Sequence, residues 1–216
     1  MAAVASSPTP ADILHRLFGF PGFRGQQEQV VTRVLAGQRT LAIMPTGAGK
    51  SLCYQLPAVI MDGTCIVISP LIALMHDQMR AADAVGIRAA TLTSADDNRA
   101  ETISRFRAGE LDLLYVAPER ASGPEFRSLL RETKISLFAI DEAHCVSEWG
   151  HDFRPDYRLL APLMDEFPDV PRLALTSTAD AHTRGDILSQ LGISVGGMIV
   201  SGFDRPNIRY AISARD

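Results

Sequence analysis

The 216 residues carry a net charge of −4, and 46% of them are hydrophobic and 21% charged, which excludes a disordered chain and indicates a packed globular protein. No apolar run approaches the roughly 18 residues of a membrane span, and residues 1–10 lack the basic and apolar blocks of a signal peptide, so we expect a cytoplasmic protein. The acidic balance also excludes a broad basic surface for nucleic acid, so any such binding must be local.

Short apolar runs alternate with helical patterns after a small, polar segment, 1–10, which we interpret as a flexible tail. The runs predict strands at 40–44, 65–69, 89–92, 111–116, 135–140, 172–176 and 198–201. The segments between them predict helices at 51–61, 72–85, 96–108, 124–132, 157–166 and 181–191. Most runs are β-branched or leucine-rich without polar alternation, which is typical of strands buried on both faces. We therefore expect one α/β domain over residues 11–216, with a mostly parallel central sheet and helices on both faces.

The cysteines give no sign of a metal or disulfide framework. Cys53, Cys65 and Cys145 are too scattered for a zinc pattern and odd in number, which favours reduced, structural thiols. We expect no zinc in this chain.

A glycine-rich segment follows the first predicted strand and precedes a helical pattern, with the sequence Pro45-Thr46-Gly47-Ala48-Gly49-Lys50-Ser51. Gly47 and Gly49 would let the backbone turn its amides, with the helix N-terminus, toward the phosphates of ATP. Lys50 would contact the β- and γ-phosphates, and the Ser51 hydroxyl would bind Mg²⁺. Met44 stands where the strict phosphate-loop pattern has glycine, so the segment alone also fits a turn before a core helix.

A second motif, Asp141-Glu142-Ala143-His144, follows the predicted strand at 135–140. Two adjacent acids at a buried strand end are costly unless a cation neutralises them. Asp141 would bind Mg²⁺, and Glu142 would polarise or deprotonate the attacking water. We expect the strands of the two motifs to lie side by side, with Lys50, Asp141 and Glu142 as the catalytic residues. Alone, this motif also fits a solvated acidic turn.

The two motifs together resemble superfamily 2 helicases, and further segments resemble the RecQ family of DNA helicases. Upstream, Phe18-Gly19-Phe20, Phe23-Arg24 and Gln27 are similar to that family's adenine-recognition element. The resemblance implies that Gln27 hydrogen-bonds the base while Phe20 and Arg24 sandwich its ring, which suits the amide, aromatic and guanidinium groups. Taken alone, these residues also fit a helix N-terminus with core aromatics.

The stretch after Asp-Glu-Ala-His is similar to the aromatic-rich loop of RecQ helicases almost residue for residue. Its sequence is Cys145-Val146-Ser147-Glu148-Trp149-Gly150-His151-Asp152-Phe153-Arg154-Pro155-Asp156-Tyr157. Aromatic faces stack on unpaired bases without selecting sequence, and arginine adds charge, so Trp149, Phe153 and Arg154 are candidate DNA contacts. The resemblance makes His144 and His151 links between the ATP and DNA sites. Trp149 also fits a buried anchor under a loop, and the histidines fit ordinary loop residues.

Four more segments match the family in order: Ser69-Pro70-Leu71-Ile72-Ala73-Leu74 with Asp77-Gln78, Ala117-Pro118-Glu119-Arg120, Thr176-Ser177-Thr178-Ala179, and Phe203-Asp204-Arg205-Pro206-Asn207. The resemblance implies that the first two border the single-strand path and that the third, through Ser177 and Thr178, couples hydrolysis to movement. Ser177 stands where alanine is usual. The resemblance covers about residues 14–210, and it implies a RecA-like P-loop NTPase domain with ATP and Mg²⁺ as cofactors.

The family's motor has two such domains with ATP between them. We find no second phosphate-cleft domain, arginine-finger segment, four-cysteine zinc module or winged helix in the sequence. The resemblance therefore implies the first motor domain of a 3′–5′ DNA helicase of repair and recombination, nucleoid-associated in a bacterium or nuclear in a eukaryote. In isolation it should have little activity, since an arginine finger contributes about 10³ to 10⁵ in rate.

Its expected partners are single-stranded and partly duplex DNA and the second RecA-like domain, with no membrane. Two alternatives stay open. The first is an RNA helicase or remodelling translocase that shares the Asp-Glu-Ala-His core, against which the loop at 147–157 argues. The second is a stand-alone ATP-binding switch module, against which Glu142 argues, because a switch needs no hydrolytic carboxylate.

Overall fold

The computed structural model describes residues 7–149, 152–178 and 180–202. Within these residues, seven strands form one sheet in which every pairing is parallel. The strands are β1 (Thr40–Ile43), β2 (Thr64–Ile68), β3 (Ala89–Leu92), β4 (Leu113–Val116), β5 (Ile135–Ile140), β6 (Arg172–Thr176) and β7 (Met198–Val200). All of them were predicted, with bounds that agree to within about two residues.

The helices of the described residues are α1 (Pro10–Ile13), α2 (Gln27–Leu35), α3 (Leu52–Ile60), α4 (Ile72–Ala84), α5 (Arg99–Arg107), α6 (Pro118–Ala121), α7 (Pro124–Leu130), α8 (Pro155–Arg158), α9 (Leu160–Asp165) and α10 (Ala181–Leu191). A π-helical turn spans Leu14–Phe18, and 3₁₀ turns span Ala143–Val146 and Val195–Gly197. None of these helices is long and apolar enough to cross a membrane.

The single helix predicted at 157–166 was wrong, because the segment forms the two short helices α8 and α9. Pro155 occupies the first turn of α8, where its missing N–H costs nothing. Pro162 has no N–H to donate to the carbonyl of Arg158 four residues earlier, and α8 ends at Arg158. The helices α1, α2 and α6 lie outside the predicted set.

The sheet is buried on both faces, as its apolar sequence predicted. Every residue of β1 to β6 is buried. Successive residues of a strand join opposite cores, as Ile66 and Val67 do. One core is closed by α5, α7, α9 and α10, and the other by α2, α3 and α4.

The strand order is β3-β4-β2-β5-β6-β1-β7. Because all strands are parallel, the segments that follow β1 and β5 share one edge of the sheet. Our expectation that these two strands are neighbours was wrong, since β6 pairs with both of them. The two motifs are therefore separated by two strand spacings, about 10 Å.

The first residues of the predicted tail, 1–6, lie outside the described residues. Within the rest of that segment, the Thr9 side chain accepts a hydrogen bond from the Asp12 amide and caps α1. The segment Phe203-Asp204-Arg205-Pro206-Asn207 also lies outside the described residues. The predicted domain bounds thus remain a prediction.

Candidate nucleotide and nucleic-acid site

The glycine-rich segment forms the connection from β1 to α3 at the carboxyl edge of the sheet. Gly47 and Gly49 have φ angles of 82° and 74°, a left-handed conformation that glycine adopts without strain. A Cβ atom at Gly49 would lie 2.4 Å from Gln27 Nε2, so this position also requires glycine for space. Within the described residues, the amides of Gly47, Gly49, Lys50 and Ser51 donate to no protein acceptor. Free amides before a helix are suited to bind an anion.

Lys50 lies within electrostatic reach of Asp141, across the end of β6. Its half-buried side chain donates from Nζ to the Met44 carbonyl over 3.3 Å. Its charge lowers the pKa of Asp141. The structure therefore brings together the two groups that the sequence assigned to one triphosphate and its metal ion.

Asp141 is buried, with 8% of its surface exposed. Burial raises its pKa to about 6, and the charge of Glu142 acts in the same direction. The Glu142 amide, which donates to Asp141 Oδ1 over 3.0 Å, and the charge of Lys50 oppose that shift. A carboxylate so poorly solvated suits a divalent cation, which would stabilise the ionised form.

Glu142 has a left-handed backbone with a φ of 50°, and no other non-glycine in the described residues has a positive φ. Such a conformation is strained for a residue with a long side chain, and strain of this kind is concentrated at functional sites. The preceding carbonyl, of Asp141, accepts a hydrogen bond of 2.9 Å from the buried Tyr157 hydroxyl. Tyr157, at the end of the quoted loop, thus fixes the backbone at the acidic pair.

Thr176 at the end of β6 connects three segments, a role that the sequence did not predict. Its carbonyl accepts the Met44 amide over 3.0 Å, next to the glycine-rich segment. Its hydroxyl donates to the Thr178 carbonyl and lies 2.9 Å from His144 Nδ1. Since the hydroxyl has one hydrogen, the histidine must donate, and this geometry also suits the Glu142 carboxylate 3.3 Å from Nδ1. Ser177 is half-buried beside this network.

The predicted adenine residues line a cavity of about 240 Å³ that reaches the glycine-rich segment. Phe20, Arg24 and Gln27 contribute to its wall, together with Gly47, Ala48, Gly49 and Ser51. Thr46 is exposed in the same segment. Sequence reasoning missed Gln55 and Val85, which also line the cavity.

Both amide hydrogens of the Gln27 side chain are engaged in this structure. Its Oε1 accepts the Arg24 amide over 2.8 Å, and its Nε2 donates to the carbonyls of Ala48 and Gly49 over 3.0 and 3.2 Å. These partners fix the orientation of the amide, because only its nitrogen can donate. Base recognition by Gln27 remains a prediction. Donation to a base would require Nε2 to exchange one of its two carbonyl partners, whereas Oε1 can accept one more hydrogen bond.

Trp149 is 74% exposed, so the alternative of a buried anchor was wrong. Its ring centroid lies 6.2 Å from that of His182 on α10. The half-buried Phe153 lies beneath the guanidinium of Arg158, 5.5 Å from Cζ to the ring centroid. Arg154 is half-buried, with Nη2 3.5 Å from Asp152. The predicted link His151 lies outside the described residues.

All three cysteines are buried free thiols, in line with the structural role predicted for them. Ligand atoms of His144, Cys145 and Asp152 lie within 4.8 Å of one another. Burial raises the pKa of the Cys145 thiol to about 12, which disfavours the thiolate that metals bind.

Comparison with known proteins identifies the family. Residues 24–187 match the family model described as DEAD/DEAH box helicase. The chain belongs to the DEAD/DEAH box helicase family. Membership implies the use of ATP and Mg²⁺, and it confirms the RecA-like α/β fold that was predicted.

The curated relatives include RecQ proteins of several organisms. The chain is 44% identical over 217 residues to the ATP-dependent DNA helicase RecQ of Haemophilus influenzae, covering 100% of this chain and 35% of that protein. It is 47% identical to RecQ of Pasteurella multocida, covering 94% and 33%, and 42% identical to the ATP-dependent helicase SGS1 of Saccharomyces cerevisiae, covering 94% and 15%. The predicted resemblance to RecQ is confirmed. The chain spans about a third of the length of the RecQ relatives.

Two solved structures share the fold at low identity. The helicase domain of Pyrococcus furiosus Hef aligns with a TM-score of 0.67 at 17% identity, over 93% of this chain and 42% of that one. The DUF1998 helicase MrfA bound to DNA aligns with a TM-score of 0.70 at 19% identity, over 90% and 28%.

Proposed function

We propose that this chain is the ATP-binding first motor domain of a 3′–5′ DNA helicase that acts in repair and recombination. The observation that supports it best is the meeting of Lys50, Asp141 and Glu142 at one sheet edge, beside the cavity lined by Phe20, Arg24 and Gln27. The family relationship supports an ATP site at this edge, and the RecQ relatives favour DNA over RNA as the nucleic acid.

The roles follow from the chemistry of each group. The free amides of the glycine-rich segment would hold the phosphates, and Lys50 would exchange the Met44 carbonyl for phosphate oxygens. Ser51 and Asp141 would hold Mg²⁺, whose charge would neutralise the phosphates. Glu142 would orient and polarise the attacking water. A change in the bound nucleotide would reach Ser177 and Thr178 through the hydrogen bond between His144 and Thr176.

DNA contact is assigned to the loop after the acidic pair. Stacking of one base on an aromatic side chain contributes about 1–3 kcal/mol and tolerates any sequence, which suits a moving motor. The exposed ring of Trp149 offers such a face, and the half-buried Arg154 adds positive charge to the same loop. The overall acidic charge of the chain fits a local, weak grip on DNA.

Replacement of Lys50 by alanine tests the nucleotide assignment. In a two-domain protein that contains this chain, Lys50→Ala should reduce the DNA-stimulated ATPase rate by about 10²-fold or more, because the developing phosphate charge loses its ammonium partner. The rate of phosphate release with and without single-stranded DNA measures this.

Lys134→Ala is the matched control, since this exposed lysine pairs with Asp62 at the opposite end of β5. Undiminished ATPase in Lys50→Ala would refute the phosphate assignment. Equal or greater stimulation of the unaltered protein by RNA would favour the RNA helicase alternative.

A further inference from the structure

Arg158, the last residue of α8, makes four contacts with one guanidinium group. Its Nε donates to the Val146 carbonyl over 3.3 Å. Nη1 lies 3.6 Å from Glu148, and Nη2 lies 3.4 Å from Asp186 on α10. Its plane also covers Phe153. Three of these partners belong to the aromatic-rich loop, on both sides of Trp149.

The helix α10 supplies two side chains to the same loop. His182 and Asp186 are four residues apart and therefore lie on one face of the helix. His182 lies beside the Trp149 ring, and Asp186 pairs with Arg158. Gln190, one turn further, donates to the other oxygen of Asp186 over 3.4 Å. This face of α10 thus contacts the loop directly at Trp149 and indirectly through Arg158.

The ion pair between Arg158 and Asp186 is partly desolvated, since the two side chains are 32% and 16% exposed. The two aromatic side chains of the loop, Phe153 and Trp149, differ in how far they are covered. One face of Phe153 lies under the guanidinium, and a base cannot stack on that face at the same time. Trp149 remains 74% exposed.

We propose that Arg158 and Asp186 are positioning residues for nucleic-acid contact. They fix the aromatic-rich loop on α10, keep Phe153 as an internal anchor, and leave Trp149 as the aromatic ring that meets an unpaired base. The DNA part of this proposal rests on the proposed function, whereas the anchoring part does not.

Fluorescence of Trp149 tests the anchoring without ATP or DNA, because it is the only tryptophan of the chain. Arg158→Ala and Asp186→Ala should each lower the fluorescence anisotropy of Trp149, since the loop gains freedom. The exchange Arg158→Asp with Asp186→Arg should restore part of the anisotropy. Arg127→Ala is the control, because Arg127 is 38% exposed, pairs with Glu166, and belongs to α7 away from the loop.

Stimulation of the ATPase by single-stranded DNA tests the functional part in the two-domain protein. Arg158→Ala and Asp186→Ala should raise the DNA concentration for half-maximal stimulation roughly five- to tenfold, the scale of one ion pair plus one cation–π contact. The basal rate and the rate at saturating DNA should stay unchanged. Phe153→Ala should also raise the DNA concentration for half-maximal stimulation, whereas Trp149→Ala should abolish stimulation.

The two measurements distinguish the anchoring of the loop from its role in DNA contact. Unchanged anisotropy in both single variants, with melting temperatures equal to that of the unaltered chain, would overturn the anchoring. Lowered anisotropy with an unchanged half-maximal DNA concentration would overturn the positioning role. Failure of DNA to stimulate the unaltered protein would reject the proposed function, while the anisotropy would still decide the anchoring.

Discussion

Asp141 shows how one residue can serve function at the expense of stability. An acid whose pKa is raised by folding keeps its proton in the folded state at pH values where the unfolded chain has lost it. Its burial therefore destabilises the fold as the pH rises from the ordinary value of 3.8 to about 6, and the full cost persists above that range. A bound divalent cation would offset this cost.

We predict that Asp141→Asn stabilises the chain at neutral pH while it abolishes ATPase activity. Asparagine keeps the oxygen that accepts the Glu142 amide but carries no charge. The free energy of unfolding should rise by up to about 3 kcal/mol at pH 7.5 and be nearly unchanged at pH 4. Urea denaturation at both pH values measures this. The exposed Asp169 supplies the control Asp169→Asn, and an equal effect of Asp141→Asn at both pH values would contradict the assigned cause.

Individual site residues were predictable from sequence where one chemical role dictates the residue type. Lys50, Asp141 and Glu142 belong to this class. Arg158 and Thr176 do not, because their roles depend on partners 28 residues and more than a hundred residues away in the chain. Gln27 was predicted to face a base, and in the structure it bonds the glycine-rich segment.

At the scale of the element, the residue before strand β2 occupies a position that strongly favours glycine. Gly63, the residue before β2, has a φ of 115°, and a Cβ atom there would lie 2.7 Å from the Lys134 carbonyl. That carbonyl accepts the Thr64 amide where β2 meets β5, so it cannot move away without loss of the pairing. The register of this strand pair shifts at the same point, between Thr64 and Cys65.

We predict that Gly63→Ala destabilises the chain by more than Gly86→Ala. Gly86 also has a positive φ, of 85°, but a Cβ atom there has no neighbour within 4 Å. Gly86→Ala should cost only the backbone term of about 1 kcal/mol, and Gly63→Ala should cost roughly 2–4 kcal/mol through the added clash. Thermal and urea denaturation measure the free energy of unfolding of both variants. Equal destabilisation by the two substitutions would mean that the Lys134 carbonyl moves aside at little cost.

The strands were predictable because burial on both faces leaves continuous apolar runs, which few other elements produce at this length. The helix α2 was missed although Gln27, Val30, Val31 and Val34 form one buried face at helical spacing. The division between α8 and α9 follows from Pro162, which a pattern of apolar spacing does not weigh.

At the scale of the whole molecule, the order of the strands in the sheet could not be predicted from the sequence. Parallel strands guarantee that both motifs meet at one edge, but which strands are neighbours depends on where each crossover helix packs. The chain passes from β1 over two positions to β2, and β5 and β6 later fill the space between them. No local sequence pattern predicts which strands become neighbours.

We predict that the chain alone hydrolyses ATP about 10³-fold or more slowly than a protein with both motor domains, because under the proposed function the second domain would supply an arginine finger. Addition of a separately made second domain should restore part of the DNA-stimulated rate. Phosphate release during titration with that domain measures this. The Lys50→Ala chain should not be rescued, and full activity of the chain alone would indicate a self-sufficient enzyme.

A single residue at the end of β6 contacts both motifs of the candidate site. One threonine, Thr176, bonds the glycine-rich segment through its carbonyl and the acidic motif through its hydroxyl. The two motifs, which follow strands separated by β6, are thereby bonded to the same residue. Neither motif can move far without straining a hydrogen bond to Thr176. A displacement of either motif can therefore pass to the other through this one residue, without a longer chain of intervening contacts.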